Sequence, residues 1–212
     1  MDILQQIAQS LQHGEAEEVH SLTRQAIAQK LPAADILNQG LIAGMNVVGE
    51  KFRVHEIFLP DVLLAAKAMT AGTELLKPLL VAGEVPSRGK VVVGSVQGDL
   101  HDIGKNLVGI MLKGAGFEVI DLGHDVAPAR FLEAAVREGA GVIGLSALLT
   151  TTMMVMRIVV ELVKERKLQG RLKVIVGGAP VSQEFAREIG ADAYGYDAAN
   201  AVERVKTLMG VT

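Results

Sequence analysis

Apolar residues recur at helical spacing through the first eighty positions and gather in short unbroken runs after position ninety. That change of period divides the chain. Ile3, Leu4, Ile7 and Leu11 mark a first helix that His13-Gly14 would stop. Val19, Leu22, Ala26 and Ile27 line one side of a second over residues 15–30. Pro32 suits the first turn of a third, continued by Ile36, Leu37, Leu41, Ile42, Met45 and Val48. A fourth runs from Pro60 through Val62, Leu63, Ala66 and Met69 to Leu76. No period-two alternation interrupts them, so residues 1–80 are expected to form a small antiparallel four-helix bundle. Residues 81–89 break the period with Gly, Pro and Ser and read as a linker.

From Lys90 strands and helices alternate. The strand patterns cover residues 91–96, 118–122, 142–146, 173–176 and 193–196. Helical patterns lie at 103–113, 129–138, 152–167, 183–189 and 198–208. Short apolar strands separated by helices predict a parallel, doubly wound sheet over residues 90–212. Five strands fit the flavodoxin-like order 2-1-3-4-5, giving an α + α/β chain overall. The carboxyl ends of strands one, three and four then share a rim made of residues 98–104, 146–152 and 177–180.

Ligands of such sheets bind at that rim. Gly98-Asp99-Leu100-His101-Asp102-Ile103-Gly104 places a carboxylate and an imidazole two residues apart there. An Asp that holds one nitrogen of a His leaves the other free as a base or a metal ligand. Each rim segment also has a plain structural explanation. Gly177-Gly178 suits a tight turn, and the hydroxyls of Ser146, Thr150, Thr151 and Thr152 suit a helix cap. Met153, Met154 and Met156 suit core filling. No Gly-x-Gly-x-x-Gly follows the first strand and no phosphate-binding lysine loop occurs. The third strand ends in Ser146-Ala147-Leu148, without the Asp a phosphorylation receiver needs.

Between helices three and four, Phe52 and Phe58 supply two of the five phenylalanines. They fit either a hydrophobic staple or an apolar lid over a planar ligand. His13, His20 and His55 read as surface residues. Half of the 212 residues are hydrophobic but only 3% are aromatic, so the core is expected to be aliphatic and Met-rich. A net charge of −3 without a basic run argues against nucleic acid as a partner. The absence of cysteine excludes disulfides and thiolate metal sites and fits a reducing cytoplasm. The amino terminus lacks the pattern of a signal peptide, and no apolar run reaches the roughly 18 residues of a membrane span. A cytoplasmic protein with no membrane partner is the expectation.

These residues resemble the cobalamin-binding (corrinoid) proteins of anaerobic methyltransferase systems, and the corresponding module of cobalamin-dependent methionine synthase. The family pattern is Asp-x-His-x-x-Gly, followed at set distances by Ser-x-Leu and Gly-Gly. Here Asp99 to Gly104 supplies the first element, 41 residues (105–145) precede Ser146-Ala147-Leu148, and 28 (149–176) precede Gly177-Gly178. The likeness extends over the helical part, including Phe58-Leu59-Pro60, and so over essentially the whole chain.

The resemblance implies a methyl carrier binding cobalamin, as methylcobalamin or a related corrinoid, in the base-off/His-on mode. His101 would coordinate cobalt from below and Asp99 would hold its other nitrogen. Thr152, where methionine synthase has a serine, would extend the relay to solvent. Gly98, Leu100, Asp102, Ile103 and Gly104 would complete the lower-face loop. Ser146, Leu148 and Thr150 would line the slot for the nucleotide tail, with Gly177 and Gly178 allowing its approach. Tyr196, Asp197 and Ala198 would lie near the tail or the corrin edge. Phe58, Leu59, Val62 and Met69 would cap the upper face.

The implied partners are a substrate-specific corrinoid methyltransferase, a second methyltransferase acting on tetrahydrofolate or coenzyme M, and a reductive activator. Such a subunit has no complete turnover alone. The methyl donor stays open among methanol, methylamines, aryl methyl ethers, methylated thiols and betaine, with O-demethylation or methylamine use preferred, in methanogenesis or acetogenesis. Two other readings remain. A cobalamin-dependent sensor normally carries an added DNA-binding region, which this chain has neither the length nor the basic segment to supply. A mutase cobalamin subunit would lack the helical part.

Overall fold

The computed structural model describes residues 2–79 and 88–211, in two compact units, one helical and one α/β. The expected linker at 81–89 lies outside the described residues except for Arg88 and Gly89. In the helical unit α1 (Ile3–Gln12) is capped by Asp2, whose carboxylate accepts the Gln5 N–H at 2.9 Å. It ends at Gly14, where φ is +72°. Next come α2 (Ala16–Ala28), α3 (Ala33–Asp35), a π-helical stretch (Ile36–Ile42), α4 (Ala43–Arg53) and α5 (Leu59–Leu76). The expected third helix is therefore continuous but wound wide in its middle. The i→i+5 bonding of a π-turn takes up one extra residue per turn, so Ile36 and Leu41, five positions apart, are both buried. Ile7, Leu11, Val19, Leu41, Val48, Val62 and Leu76 are fully buried and form the centre of this unit.

The α/β unit contains β1 (Lys90–Ser95), α6 (Ile103–Gly114), β2 (Glu118–Asp121), α7 (Pro128–Glu138) and β3 (Val142–Ser146). It continues with α8 (Thr150–Met153), α9 (Val155–Glu165), β4 (Lys173–Gly177), α10 (Gln183–Ile189), β5 (Ala193–Gly195) and α11 (Ala198–Met209). All strand pairs are parallel and the order is β2-β1-β3-β4-β5. The expected helix at 152–167 is instead the short α8 and the longer α9, with Met154 between them.

Register brings the rim level. Ser95 pairs with Ser146 and Ser146 with Gly177, so three strand ends stand side by side. The two sheet faces differ because strand residues alternate. Val92, Ile143, Leu145, Val174 and Val176 belong to one dense core with Phe131 of α7, Met156 and Val159 of α9, and Phe185 of α10. The opposite face carries Val91, Val93, Gly144 and Ile175 beneath α6 and α11, where a cavity remains. Among the described residues no helix is long and apolar enough to cross a membrane.

Candidate functional site

The chain leaving β1 turns at Gly98, where φ is +83°, and places Asp99 out of solvent entirely. One carboxylate oxygen of Asp99 accepts the His101 backbone N–H at 3.1 Å and lies 2.8 Å from His101 Nδ1. The other accepts the Leu148 N–H at 2.7 Å and the Thr152 hydroxyl at 2.6 Å. The Thr152 hydroxyl also lies 3.0 Å from the Leu149 carbonyl, but its single hydrogen gains more from the charged acceptor. The carboxylate thus ties the loop after β1 to the loop and helix after β3.

Burial pushes the Asp99 carboxyl upward, yet the bonds from Thr152, the Leu148 amide and His101 together hold it well below the usual carboxylate range. At neutral pH it is ionised. An ionised carboxylate facing Nδ1 keeps the proton on that nitrogen and leaves the lone pair on Nε2. The His101 side chain is 51% exposed, so Nε2 is reachable. Leu100 (66% exposed), Ile103 (74%) and Leu148 (45%) flank it, an apolar surround for an imidazole. Asp102 is half-buried, and its carbonyl accepts the Asn106 N–H at 2.7 Å, opening α6.

Three supporting contacts had no sequence signal of their own. Ser95, fully buried at the end of β1, donates its hydroxyl hydrogen to the His101 carbonyl at 2.6 Å. Asp125, in the loop after β2, accepts the Gly98 N–H at 2.7 Å while its own N–H donates to the Asp99 carbonyl at 3.0 Å. Lys105, buried next to Gly104, donates to both carboxylate oxygens of Asp121 at 2.6 Å and to Asn106 Oδ1 at 2.7 Å. The loop after β2 reaches the same rim, beside the loops after β1, β3 and β4 expected there from sequence.

Behind the rim lies a cavity of about 380 Å³ between the open sheet face, α6 and α11. Gly104, Ser146, Gly177, Gly178, Tyr196, Asp197 and Ala198 line it, with Val91, Val93, Val108 and Ile175 deeper in. Gly178 is required where it stands: its φ is +126°, and a Cβ there would sit 1.8 Å from the Ala147 carbonyl oxygen. Two expectations need correction. Leu148 and Thr150 are not among the residues lining this cavity; Leu148, in the loop after β3, and Thr150, the first residue of α8, are both exposed, and Leu148 meets Asp99 through its backbone N–H. Val62 and Met69 are buried in the helical unit, at 0% and 8% exposure, and form its core rather than a capping surface. Leu59 is half-buried and Phe58 is 67% exposed, beside Leu63 and Leu64 on the outside of α5. His13 and His55 are exposed and His20 half-buried, as surface residues would be.

The residues present fit a corrinoid. It brings its cobalt already bound in a macrocycle and can take one axial nitrogen from a protein, with an apolar seat and room for a tail. His101 Nε2, the exposed leucine and isoleucine side chains, and the glycine-floored cavity are the groups that could hold it. Among the described residues no three His, Cys, Asp or Glu side chains converge to hold a bare ion.

Comparison with known proteins agrees. Two family models, each described as "B12 binding domain", match the chain, one over residues 3–77 and the other over residues 89–205. A corrinoid protein of Desulfitobacterium hafniense is 42% identical over 99% of both chains. Dimethylamine corrinoid protein 3 of Methanosarcina acetivorans is 45% identical over 98% of this chain and 97% of its own. The crystal structure of the methanol:cobalamin methyltransferase complex MtaBC from Methanosarcina barkeri superposes with a TM-score of 0.89 at 31% identity, covering 99% of this chain and 80% of the matched one. The chain belongs to the B12-binding corrinoid proteins of methyltransferase systems.

Proposed function

We propose that this chain is a methyl carrier whose corrinoid is held base-off with His101 as lower axial ligand, loaded by a partner methyltransferase that acts on a methylamine. The observation that carries the ligand assignment is the commitment of every other polar atom of His101. Its N–H and Nδ1 are taken by Asp99 and its carbonyl by Ser95, which leaves Nε2 alone with an open lone pair among the described residues. The corrinoid supplies the carbon–cobalt chemistry. The chain's own residues hold and orient it. Asp99 keeps the imidazole proton on Nδ1, and Thr152 and the Leu148 amide keep Asp99 ionised. The cavity lined by Ser146, Gly177, Gly178 and Ala198 receives the nucleotide tail, with Tyr196 and Asp197 at its margin. Phe58, the exposed member of the expected cap, belongs to an apolar surface suited to shielding a planar group.

Near-complete coverage by a relative named for dimethylamine supports a methylamine donor. It also favours a carrier over a sensor or a mutase subunit. The downstream methyltransferase would act on tetrahydrofolate or coenzyme M, and a reductive activator would restore the lowest cobalt state.

Two measurements test this. The full chain, loaded with cobalamin and reduced to cobalt(II), should give nitrogen splitting in its electron paramagnetic resonance spectrum that changes with ¹⁵N-histidine. His101→Ala should lose that splitting. A variant with unchanged spectrum and affinity removes the ligand assignment. For the donor, dimethylamine and methanol methyltransferases are each mixed with the reduced, loaded chain. Methylation by the methanol enzyme alone overturns the methylamine reading.

A further inference from the structure

We propose that Ser95 and Asp125 form a clasp that fixes the position of His101 and so sets how strongly it holds the metal. The inference rests on His101 being the axial ligand. Asp99 alone cannot fix this residue, because both of its bonds to His101 meet the same carboxylate oxygen. The imidazole and its peptide are free to pivot about that one atom. The second anchor is Ser95, whose hydroxyl holds the His101 carbonyl.

Ser95 is itself immobile. Its N–H donates to the Gly123 carbonyl and its carbonyl accepts the Val126 N–H, each at 3.0 Å. Val96 forms a parallel bridge to Val126 just beyond. Asp125 grips the other end of the loop, taking the Gly98 N–H on its side chain and giving its own N–H to the Asp99 carbonyl. It does so at φ +54°, a conformation that costs any residue with a side chain and that Asp tolerates better than most. A left-handed non-glycine residue held by reciprocal bonds to the ligand-bearing loop is the kind of backbone outlier that accompanies function. The loops after β1 and β2 are thereby laced together, with the axial residue at their edge.

A ligand pinned by scaffold binds more tightly than one that must be ordered by the metal. Loss of one such hydrogen bond should weaken ligation about fivefold. Ligation favours cobalt(II) over cobalt(I), so weaker ligation moves the cobalt(II)/cobalt(I) midpoint upward. At 59 mV per tenfold for one electron, fivefold corresponds to about 41 mV.

The test uses the full, cobalamin-loaded chain as wild type, Ser95→Ala, Ser95→Thr, Asp125→Gly and His101→Ala. Midpoints are read by spectroelectrochemistry and thermal unfolding is followed in parallel. Ser95→Ala should raise the midpoint by about 40 mV, Ser95→Thr should restore it, and Asp125→Gly should shift it in the same direction. His101→Ala should shift it further. Should Ser95→Ala fail to fold, Asp125→Gly carries the test, because glycine accepts the left-handed turn and removes only the side-chain bond. Wild-type midpoints in Ser95→Ala or Asp125→Gly, with His101→Ala displaced, overturn the clasp and leave the axial ligand standing. A His101→Ala midpoint equal to wild type overturns the axial assignment and the clasp with it.

Discussion

Asp99→Asn is the most informative single substitution, because shape is kept while charge and hydrogen-bond polarity change. All four groups around the carboxylate are donors: the His101 N–H, the His101 ring nitrogen Nδ1, the Leu148 N–H and the Thr152 hydroxyl. An asparagine offers them one oxygen and one NH₂ group. If the NH₂ faces Leu148, the Thr152 hydroxyl can turn and accept, but the Leu148 N–H cannot. If it faces His101, the ring can switch tautomer, but only by moving its proton to Nε2, and the His101 N–H still points at a donor. Either orientation leaves a backbone N–H facing a donor beside a fully buried side chain. Bonds to a charged group are worth about 1.5–3 kcal/mol each, and an unsatisfied buried donor costs about 1–3 kcal/mol. After partial relaxation the α/β unit should lose ~3–5 kcal/mol, the range for breaking buried charged pairs.

Urea unfolding followed by tyrosine fluorescence isolates that unit, since the chain has no tryptophan and both tyrosines, Tyr194 and Tyr196, lie in it. The pH dependence supplies a second check. The folded-state value of Asp99 is depressed, so its contribution is fully present above the unfolded carboxylate value near ~3.9 and is lost as pH falls toward the folded value. The stability gap between wild type and Asp99→Asn should therefore narrow as pH falls below about 4. A gap that is absent at pH 7, or that stays constant down to pH 3, refutes the reasoning.

Other outcomes follow from the two sheet faces and the helical unit. Gly144→Val should project into the cavity, where a Cβ meets only Val93 at 3.3 Å as a close neighbour. It should lower cobalamin affinity by about tenfold, roughly the worth of two blocked methyl contacts, in equilibrium dialysis, while urea unfolding of the apoprotein stays within ~1 kcal/mol of wild type. Val62→Ala should cost the helical unit about 2 kcal/mol by circular dichroism, as loss of a core side chain. Phe58→Ala, at 67% exposure, should cost under about 0.5 kcal/mol in the same assay. Equal losses in the two variants would show that Val62 is not core.

The elements that sequence made legible are those set by periodicity and by spacing. The switch from helical to strand pattern, the strand order and the three-part motif all depend on residue type at fixed intervals, and the register of Ser95, Ser146 and Gly177 explains why those intervals work. What stayed hidden depends on backbone partners. A serine ending a strand and an aspartate in a turn are commonplace, and only the folded loops reveal that Ser95 and Asp125 grip one segment. The misassigned cap has a different cause. Helix α5 is apolar nearly all round, so Val62, Ala65, Met69 and Leu76 on its buried side were not separable by pattern from Phe58, Leu63 and Leu64 outside. Likewise Leu148 matched the motif for a reason other than its side chain: position 148 is where a backbone N–H meets Asp99.

A buried carboxylate would ordinarily be a liability in a small sheet, and here the fold shows what makes it tolerable. Stability is drawn from the face that is filled, where Phe131, Ile143, Met156 and Val159 exclude solvent completely. The opposite face is left unfilled around Gly144, which borders the cavity, while Gly195 lets Ala201 of α11 approach β5 closely. Asp99 stands at the boundary between them, fully desolvated yet bonded by four donors from two loops. Removing the charge would relieve the desolvation but strand its donors, so no single apolar substitution at position 99 satisfies the site. The four donors and the carboxylate require one another, and that mutual requirement leaves an imidazole with one open nitrogen.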